Sequence, residues 1–155
     1  MSSNDINGRT INEPETILSG QFLVPGEGEG LALVLPEPIS LWGGLNPETG
    51  AIIDARHPRV GAIVTGRVLV LPGGRGSSSA SSILLEAVRA GTAPAAILTL
   101  ERDGILALGA TVARAMYDVN PPVVVLHPDD YNKIEENQRI RVSSRHNTVI
   151  LVSIL

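Results

Sequence analysis

Apolar runs separated by turn residues divide the chain into segments with the length of β-strands. These strand-like runs lie at residues 16–24, 31–35, 66–71, 95–100, 122–126, 138–143 and 148–154. The runs at 66–71 and 95–100 are almost continuously apolar, which is typical of strands covered on both faces. Proline and glycine follow several of the runs, and neither residue continues a strand readily. The pattern therefore predicts many short strands, some of them buried.

Two stretches between these runs have the spacing of helices. Residues 77–90 carry apolar side chains at helical spacing, with serines available as N-caps and Gly91 as a C-terminal stop. Residues 106–117 predict a second short helix, and residues 129–136 predict one or two helical turns. The glycines at 26, 28 and 30 miss the dinucleotide-binding spacing, and we interpret the segment that holds them as a flexible loop.

The order of the elements predicts the fold class. Several strands come first, then strand, helix, strand, helix and strand, and then strands again, without a repeat or a linker that would split the chain. We predict an α/β fold with mixed β layers and two to three helices, in a single domain over residues 16–155. Residues 1–15 are polar and predict a flexible N-terminal arm.

The amino-acid composition argues against several classes of function. The residues are 43% hydrophobic but only 3% aromatic, so the core must consist of valine, isoleucine, leucine and alanine. The net charge is −4 and no basic block is present, which argues against nucleic acid as a partner. Without cysteine, the chain has no thiolate for catalysis, zinc or an iron–sulfur cluster. With neither a leader-like N-terminus nor a long apolar stretch, we expect a cytoplasmic protein that does not contact a membrane.

The turn at residues 72–79 is the first candidate for chemistry. It joins a buried strand to a helix, its three glycines let the backbone approach a ligand, and the helix dipole favours an anion there. A serine here can bind a carboxylate, or act as a base if backbone N–H groups and Arg75 stabilise its alkoxide. The alternative is that the serines cap the helix and the glycines turn the chain. A phosphate-binding Walker loop is excluded, because the only lysine is remote.

The long turn-rich segment at 39–59 is the second candidate. Trp42, the only tryptophan, lies among prolines and glycines, where it either packs in the core or serves a lid or an interface. Asp54 and His57 precede Pro58 and belong either to a surface turn or to a loop that faces substrate or a partner. The other histidines, His127 and His146, lack the spacing of metal ligands.

Several segments follow one another in a fixed order between about Gly20 and Leu126. They are Leu31-Ala32-Leu33-Val34, Pro38-Ile39-Ser40-Leu41-Trp42-Gly43-Gly44, Pro47-Glu48-Thr49-Gly50, Asp54, His57-Pro58, Gly61, Gly66-Arg67-Val68-Leu69-Val70 and Arg75-Gly76-Ser77-Ser78. In this order the segments resemble the small subunit of aconitase X. The resemblance implies a swivelling β/β/α domain that works with a large aconitase X subunit in a hetero-oligomer. It also implies that this chain binds no cofactor and that the large subunit carries iron or an iron–sulfur cluster.

The same resemblance assigns roles to residues. In aconitase-like enzymes a Gly-Ser-Ser turn supplies a serine that takes a proton from the carbon beside a carboxylate. By that similarity Ser77 is the catalytic base, with Ser78 as the alternative. Substrate contacts are expected from both candidate segments, namely Arg75, Gly76, Ser78, Ser40, Trp42, Gly43 and Gly44, with Asp54 and His57 in support. Ordinary aconitases continue the turn with Arg-Glu-His, whereas Ser79-Ala80-Ser81 follows here, which argues against citrate-type substrates.

Two substrates are compatible with the resemblance, and both are small hydroxy-carboxylates. We favour the dehydration of cis-3-hydroxy-L-proline over that of mevalonate 5-phosphate, because 11 of the 12 basic residues are arginine, unlike the lysine-rich proteins of hyperthermophiles. A phosphohistidine carrier with this fold would need a histidine between 62 and 125, and none is present. The remaining alternative is a binding module that has kept the fold without catalysis.

Overall fold

A computed structural model describes residues 15–75 and 78–152 of the chain. Its strands are β1 (Thr16–Leu18), β2 (Gly20–Val24), β3 (Glu27–Val34), β4 (Leu45–Asn46), β5 (Ala51–Ile52), β6 (Val68–Leu71), β7 (Ala96–Thr99), β8 (Val123–Leu126), β9 (Arg139–Ser143) and β10 (Thr148–Val152). Its helices are α1 (Ala80–Ala90), α2 (Gly104–Tyr117) and α3 (Pro128–Tyr131). The predicted fold class, mixed strands with two to three helices, is confirmed.

Eight strands form one mixed sheet in the order β1-β10-β9-β3-β6-β7-β8-β2. The four strands β3, β6, β7 and β8 are parallel to one another, and all the other pairs in the sheet are antiparallel. The predicted strand over 16–24 is in fact two strands, because the extended backbone is interrupted at Ser19. Strands β1 and β2 then pair at opposite ends of the sheet.

The central strands are buried on both faces, as their apolar sequences predict. Along β6, Val68 and Val70 point towards the strands β9 and β10, while Leu69 and Leu71 point towards the helices. This alternation divides the core into two clusters with the parallel strands between them. Helices α1 and α2 cover one face and the antiparallel strands cover the other, which gives the three layers of a β/β/α domain.

Strand β3 joins the two sheet layers, and the interpretation of its glycine-rich start as a flexible loop is wrong. Residues 27–31 pair with β9 antiparallel, and residues 32–34 pair with β6 parallel. A Cβ at Gly28 would overlap the carbonyl oxygen of Ala95, and one at Gly30 would overlap that of Gly66. The glycines are therefore required by neighbouring backbones that approach closely, not by a flexible loop.

The helices begin at different residues from those predicted. Helix α1 begins at Ala80 rather than Ser77, and α2 begins at Gly104 rather than Leu106. Asp103 is the N-cap of α2, and its side chain accepts hydrogen bonds from the backbone N–H groups of Ile105 and Leu106. Both helices follow a parallel strand, so each starts at the edge of the sheet where those strands end.

Candidate active site

The carboxyl ends of four parallel strands lie side by side at one edge of the sheet. The segments that follow β3, β6, β7 and β8 begin at Leu35, Pro72, Leu100 and His127 respectively. Because the order in the sheet is β3-β6-β7-β8, the segment after β6 lies between those after β3 and β7. In open α/β sheets this edge is where ligands bind, and the glycine-serine turn leaves it.

Hydrogen bonds from both neighbouring segments hold the beginning of this turn. The carbonyl oxygen of Pro72 accepts from Glu101 N at 3.1 Å, and Arg75 N donates to the carbonyl oxygen of Ile39 at 3.2 Å. Between them, Gly74 N donates to Oδ2 of Asp103. Residues 72–75 are thus fixed on both sides before the chain reaches the serines.

The serines mark the start of α1. Gly76 and Ser77 lie outside the described residues, and Ser78 and Ser79 are exposed. Ser79 occupies the N-cap position with a helical backbone, and its side chain makes no capping hydrogen bond to α1. The hydroxyls of Ser81 and Ser82 donate to the carbonyl oxygens of Ser78 and Ser79 at 2.9 and 2.7 Å. The expectation that a serine side chain caps this helix is therefore not met by Ser79.

Arg75 is the cationic residue that is nearest to these serines in the sequence. Arg75 is exposed, and within residues 15–75 and 78–152 no carboxylate forms an ion pair with it. Behind the turn lies a cavity of about 50 Å³, lined by Ile39, Leu41, Gly74, Arg75, Ala80, Asp103, Ile105 and Leu106. That cavity is too small to hold a small organic acid.

The Trp42 loop lies beside the turn, because Ile39 and Gly74 form a parallel β-bridge. Leu41 anchors the loop with 4% of its surface exposed, whereas Trp42 is 59% exposed. Gly43 has a φ of 77°, in the left-handed region that favours glycine. Of the two alternatives for Trp42, packing in the core is wrong, and the side chain is open to a ligand or a partner. Ser40, Gly43 and Gly44 belong to the same loop.

His57 is buried in the structure, with 4% of its surface exposed. Its Nδ1 accepts from Arg59 N at 3.0 Å, so Nε2 carries the proton and donates to the carbonyl oxygen of Glu37 at 3.2 Å. Asp54 accepts from Arg56 N at 3.0 Å and shapes the turn that leads to His57. His57 thus holds the loop against the segment that leads to Ile39, whereas the side chain of Asp54 bonds within its own turn.

The described residues contain neither a metal-binding cluster nor a membrane-spanning helix. Within residues 15–75 and 78–152, no three histidine, aspartate or glutamate side chains cluster closely enough to hold a metal ion. His127 and His146 are both exposed. No helix in the same part of the chain is long and apolar enough to cross a bilayer.

A family profile described as the aconitase X swivel domain matches residues 17–152 of the chain. The chain belongs to the aconitase X swivel-domain family. The match runs from β1 to the end of β10, so it covers every described element apart from the first residue of β1. The predicted resemblance is therefore confirmed at the level of the family.

The related proteins have two different enzyme names. The cis-3-hydroxy-L-proline dehydratase of Pseudomonas aeruginosa is 47% identical over 104 residues, which are 67% of this chain and 18% of that protein. The phosphomevalonate dehydratase small subunit of Methanothermobacter thermautotrophicus is 44% identical over 88 residues, which are 57% of this chain and 67% of that one. The chain thus spans about a fifth of the length of the hydroxyproline dehydratases that it matches.

Solved structures agree with the assignment of the swivel domain. The aconitase X of Thermococcus kodakaraensis, in its holo-form, aligns with a TM-score of 0.78 and 31% identity, over 90% of this chain and 99% of that one. A protein described as UPF0107, solved in solution by NMR, aligns with a TM-score of 0.76 and 31% identity, over 90% of this chain and 100% of that one.

Asp103 is the residue of this site that sequence reasoning missed. It lies between the end of β7 and α2, and only the three-dimensional structure brings it to Gly74, which is 29 residues away in the chain. One signal was present, because an aspartate directly before Gly104 and a run of apolar helical residues is typical of an N-cap. That signal indicates the capping role but not the contact with the turn of the swivel domain.

Proposed function

We propose that this swivel domain is the small subunit of an aconitase X-type dehydratase and that Ser77 is its catalytic base. The strongest support from the structure is the position of the turn. The turn leaves the carboxyl edge of the parallel strands, its first half is held by both neighbouring segments, and it adjoins an exposed Arg75 that has no ion pair with any described carboxylate. The family to which the chain belongs supports the same assignment.

In the proposed reaction, the chain supplies the proton acceptor. The oxygen of Ser77, as its alkoxide, takes the proton from the carbon next to the carboxylate, and the electrons of that C–H bond form the new double bond as the hydroxyl leaves the neighbouring carbon. An alkoxide is unfavourable in water, so it needs the N–H groups at the start of α1 and the positive charge of Arg75. The same charge and Ser78 are suited to hold the substrate carboxylate.

The leaving hydroxyl calls for a Lewis acid, which we expect from iron or an iron–sulfur cluster on a large subunit. This chain has no cysteine, and its described residues contain no cluster of three other metal-ligating side chains. The residues present therefore do not fit such a centre, and the active site would be completed between the two subunits. The exposed Trp42 loop, beside the turn, is in position to meet the partner or the substrate.

For the substrate, we propose cis-3-hydroxy-L-proline. The support is the 47% identity to the dehydratase of that name from Pseudomonas aeruginosa. Mevalonate 5-phosphate is the second candidate, because the small subunits named for that substrate match over most of their own length, 95% in Thermococcus gammatolerans. A phosphate would need further cations, and Arg75 is the only one that the described part of the turn provides.

The test is a reconstitution with the large subunit and iron. We expect the chain alone to be inactive, and the complex to dehydrate cis-3-hydroxy-L-proline faster than mevalonate 5-phosphate. Ser77→Ala should lower kcat by about 10²–10⁴-fold without unfolding the complex, because a proton-transfer group contributes about that factor. Ser82→Ala is the matched control, since its hydroxyl bonds only within the first turns of α1.

Three results would contradict parts of this proposal. Turnover by the isolated chain would exclude an active site divided between subunits. If Ser78→Ala abolishes turnover and Ser77→Ala does not, Ser78 is the base. A faster reaction with mevalonate 5-phosphate would reverse the choice of substrate and leave the class of reaction unchanged.

A further inference from the structure

We infer that Asp103 is a positioning residue that holds the catalytic turn through the backbone of Gly74, an inference that rests on the proposed role of Ser77. Its carboxylate has two oxygens with different partners. Oδ1 accepts from Ile105 N at 3.0 Å and Leu106 N at 2.9 Å, and Oδ2 accepts from Gly74 N. One side chain thus fixes both the start of α2 and the turn that precedes Ser77.

The chemistry of this contact requires a carboxylate. Asparagine caps helices as well as aspartate does, but it has only one acceptor oxygen, and its amide nitrogen would face the N–H of Gly74 or the N–H groups of α2. Serine also caps, with a single and shorter oxygen. Only a side chain with two acceptors on one planar group can serve both elements at once, and glutamate is one carbon too long for the same N-cap geometry.

The backbone of Gly74 lies directly against the carboxylate of Asp103. A Cβ at Gly74 would overlap Oδ2 of Asp103, so glycine is required for the backbone to reach the carboxylate. Arg75 N, the next donor along the chain, is already bonded to the carbonyl oxygen of Ile39. The small cavity behind the turn means that the turn can shift if the Asp103 contact is lost, because the space there is not filled by side chains.

The position of the turn matters because proton transfer depends on short, well-directed contacts. A displacement of about 1 Å in a group that supports the reacting atoms can lower the rate by about 10²-fold. Ser77 lies three residues from Gly74. Releasing Gly74 should therefore impair kcat more than KM, since the long side chain of Arg75 can still reach the substrate carboxylate.

The test uses Asp103→Asn in the reconstituted complex and in the full-length chain. We expect the melting temperature to change by no more than about 3 °C, because the cap is kept. We expect kcat to fall by about 10–100-fold, with a smaller change in KM. By NMR, hydrogen exchange of the Gly74 amide should accelerate at least tenfold while the Leu106 amide keeps its protection. Asp118→Asn, the same change at the other end of α2, should alter none of these values.

A second pair of variants tests the contact if Asp103→Asn does not fold. Gly74→Ala should lower kcat in the native background, because its Cβ overlaps Oδ2. In the Asp103→Ser background, Gly74→Ala should lower kcat little further, since the carboxylate oxygen that the Cβ overlaps is gone. Losses that simply add would overturn the inference, because residues in direct contact are expected to be coupled.

The outcomes separate this inference from the proposed function. If Ser77→Ala is inactive and Asp103→Asn has native kcat, the positioning role is wrong and the proposed function stands. If Ser77→Ala and Ser78→Ala are both fully active, the proposed catalytic turn is wrong and the positioning role fails with it. Loss of Gly74 protection together with a lowered kcat in Asp103→Asn supports the inference.

Discussion

At the scale of single residues, Gly28 and Gly30 show how a residue without a side chain can specify a sheet. Each lies in β3 at a point where a Cβ would overlap a carbonyl oxygen, that of Ala95 for Gly28 and that of Gly66 for Gly30. The two glycines alternate with Glu27 and Glu29, whose carboxylates point to β9 and the turn after it. One face of the strand is thus charged, and the other lies against backbone.

We predict that Gly28→Ala lowers the free energy of unfolding by about 1–3 kcal/mol, the range for overpacking a site that cannot expand. The displaced group is backbone, at Ala95 beside β7, so it cannot turn away as a side chain would. Urea denaturation of the purified chain measures this change. Gly104→Ala is the matched control, because apart from its chain neighbours and the backbone of α2 no atom lies within 4 Å of its Cβ position. Native-like stability of Gly28→Ala would contradict the packing.

At the scale of elements, β3 holds the two sheet layers together through ion pairs and hydrogen bonds at both of its ends. At the start, the carboxylate of Glu27 accepts from Ser143 Oγ at 2.7 Å and Arg145 N at 3.1 Å. At the end, Glu136 accepts from Val34 N at 2.7 Å and forms ion pairs with Arg59 and Arg67 at 3.0 and 3.3 Å. Partial burial opposes the charge of Glu136, but the hydrogen bonds from Arg59 and Val34 N, together with the positive charges of Arg59 and Arg67, outweigh it and hold the pKa of Glu136 below its usual range.

The contacts of Glu27, at the start of β3, predict that the stability of the chain depends on pH. The hydrogen bond from Ser143, followed by that from Arg145 N, lowers the pKa of Glu27 from 4.5 to about 2. Because the folded state binds this proton less readily than the unfolded state, the contribution of Glu27 is fully present above pH 4.5 and is lost as the pH falls towards 2. Urea denaturation of the native chain and Glu27→Gln over this range should show a difference in stability that shrinks with falling pH.

The matched control for this titration is Glu48→Gln, which removes an exposed carboxylate in the connection between β4 and β5. If the difference between Glu27→Gln and the native chain stays constant down to about pH 3, the contacts of Glu27 with the β9–β10 turn do not stabilise its charged form.

At the scale of the whole molecule, the features of the site gather at one edge of the sheet. The turn after β6, the Trp42 loop after β3 and Asp103 after β7 all leave the carboxyl ends of parallel strands. The opposite edge carries the end of α2, where Met116 is 60% exposed. A large subunit that completes the proposed active site would have to approach the first edge.

We predict that Trp42→Ala weakens binding of the large subunit while leaving the fold intact. With 59% of its surface exposed, Trp42 contributes little to the isolated chain, so the free energy of unfolding should change by less than about 0.5 kcal/mol. A buried tryptophan in an interface is worth more, so Kd should rise at least about tenfold by isothermal titration calorimetry.

Met116→Ala removes an equally exposed apolar side chain at the opposite edge and serves as the control. Equal Kd values for both variants would contradict an interface at Trp42. An unchanged Kd with a raised KM for the hydroxy acid would assign Trp42 to the substrate instead.

Much of the fold could be predicted from the sequence because its signals are local. Apolar runs such as 66–71 indicated strands buried on both faces, and helical spacing with Gly91 as a stop located α1 to within three residues of its start. The glycine-rich start of β3 could not be recognised as a strand, because the reason for its glycines lies in the backbones of residues 66 and 95. His57 was expected either on a surface turn or in a loop that faces substrate or a partner, but it is buried and its ring bonds to Glu37, a contact that local pattern does not predict.

For the proposed site, the sequence by itself determined the turn at 72–79, the absence of cysteine and the resemblance to the aconitase X family, which the family profile confirms. These depend on residue types and their order, which folding does not change. The tertiary structure decided that Trp42 is exposed, that His57 is buried and that Asp103 reaches Gly74. The contact of Asp103 with Gly74 depends on the parallel order β3-β6-β7, which brings together segments that are distant in the chain.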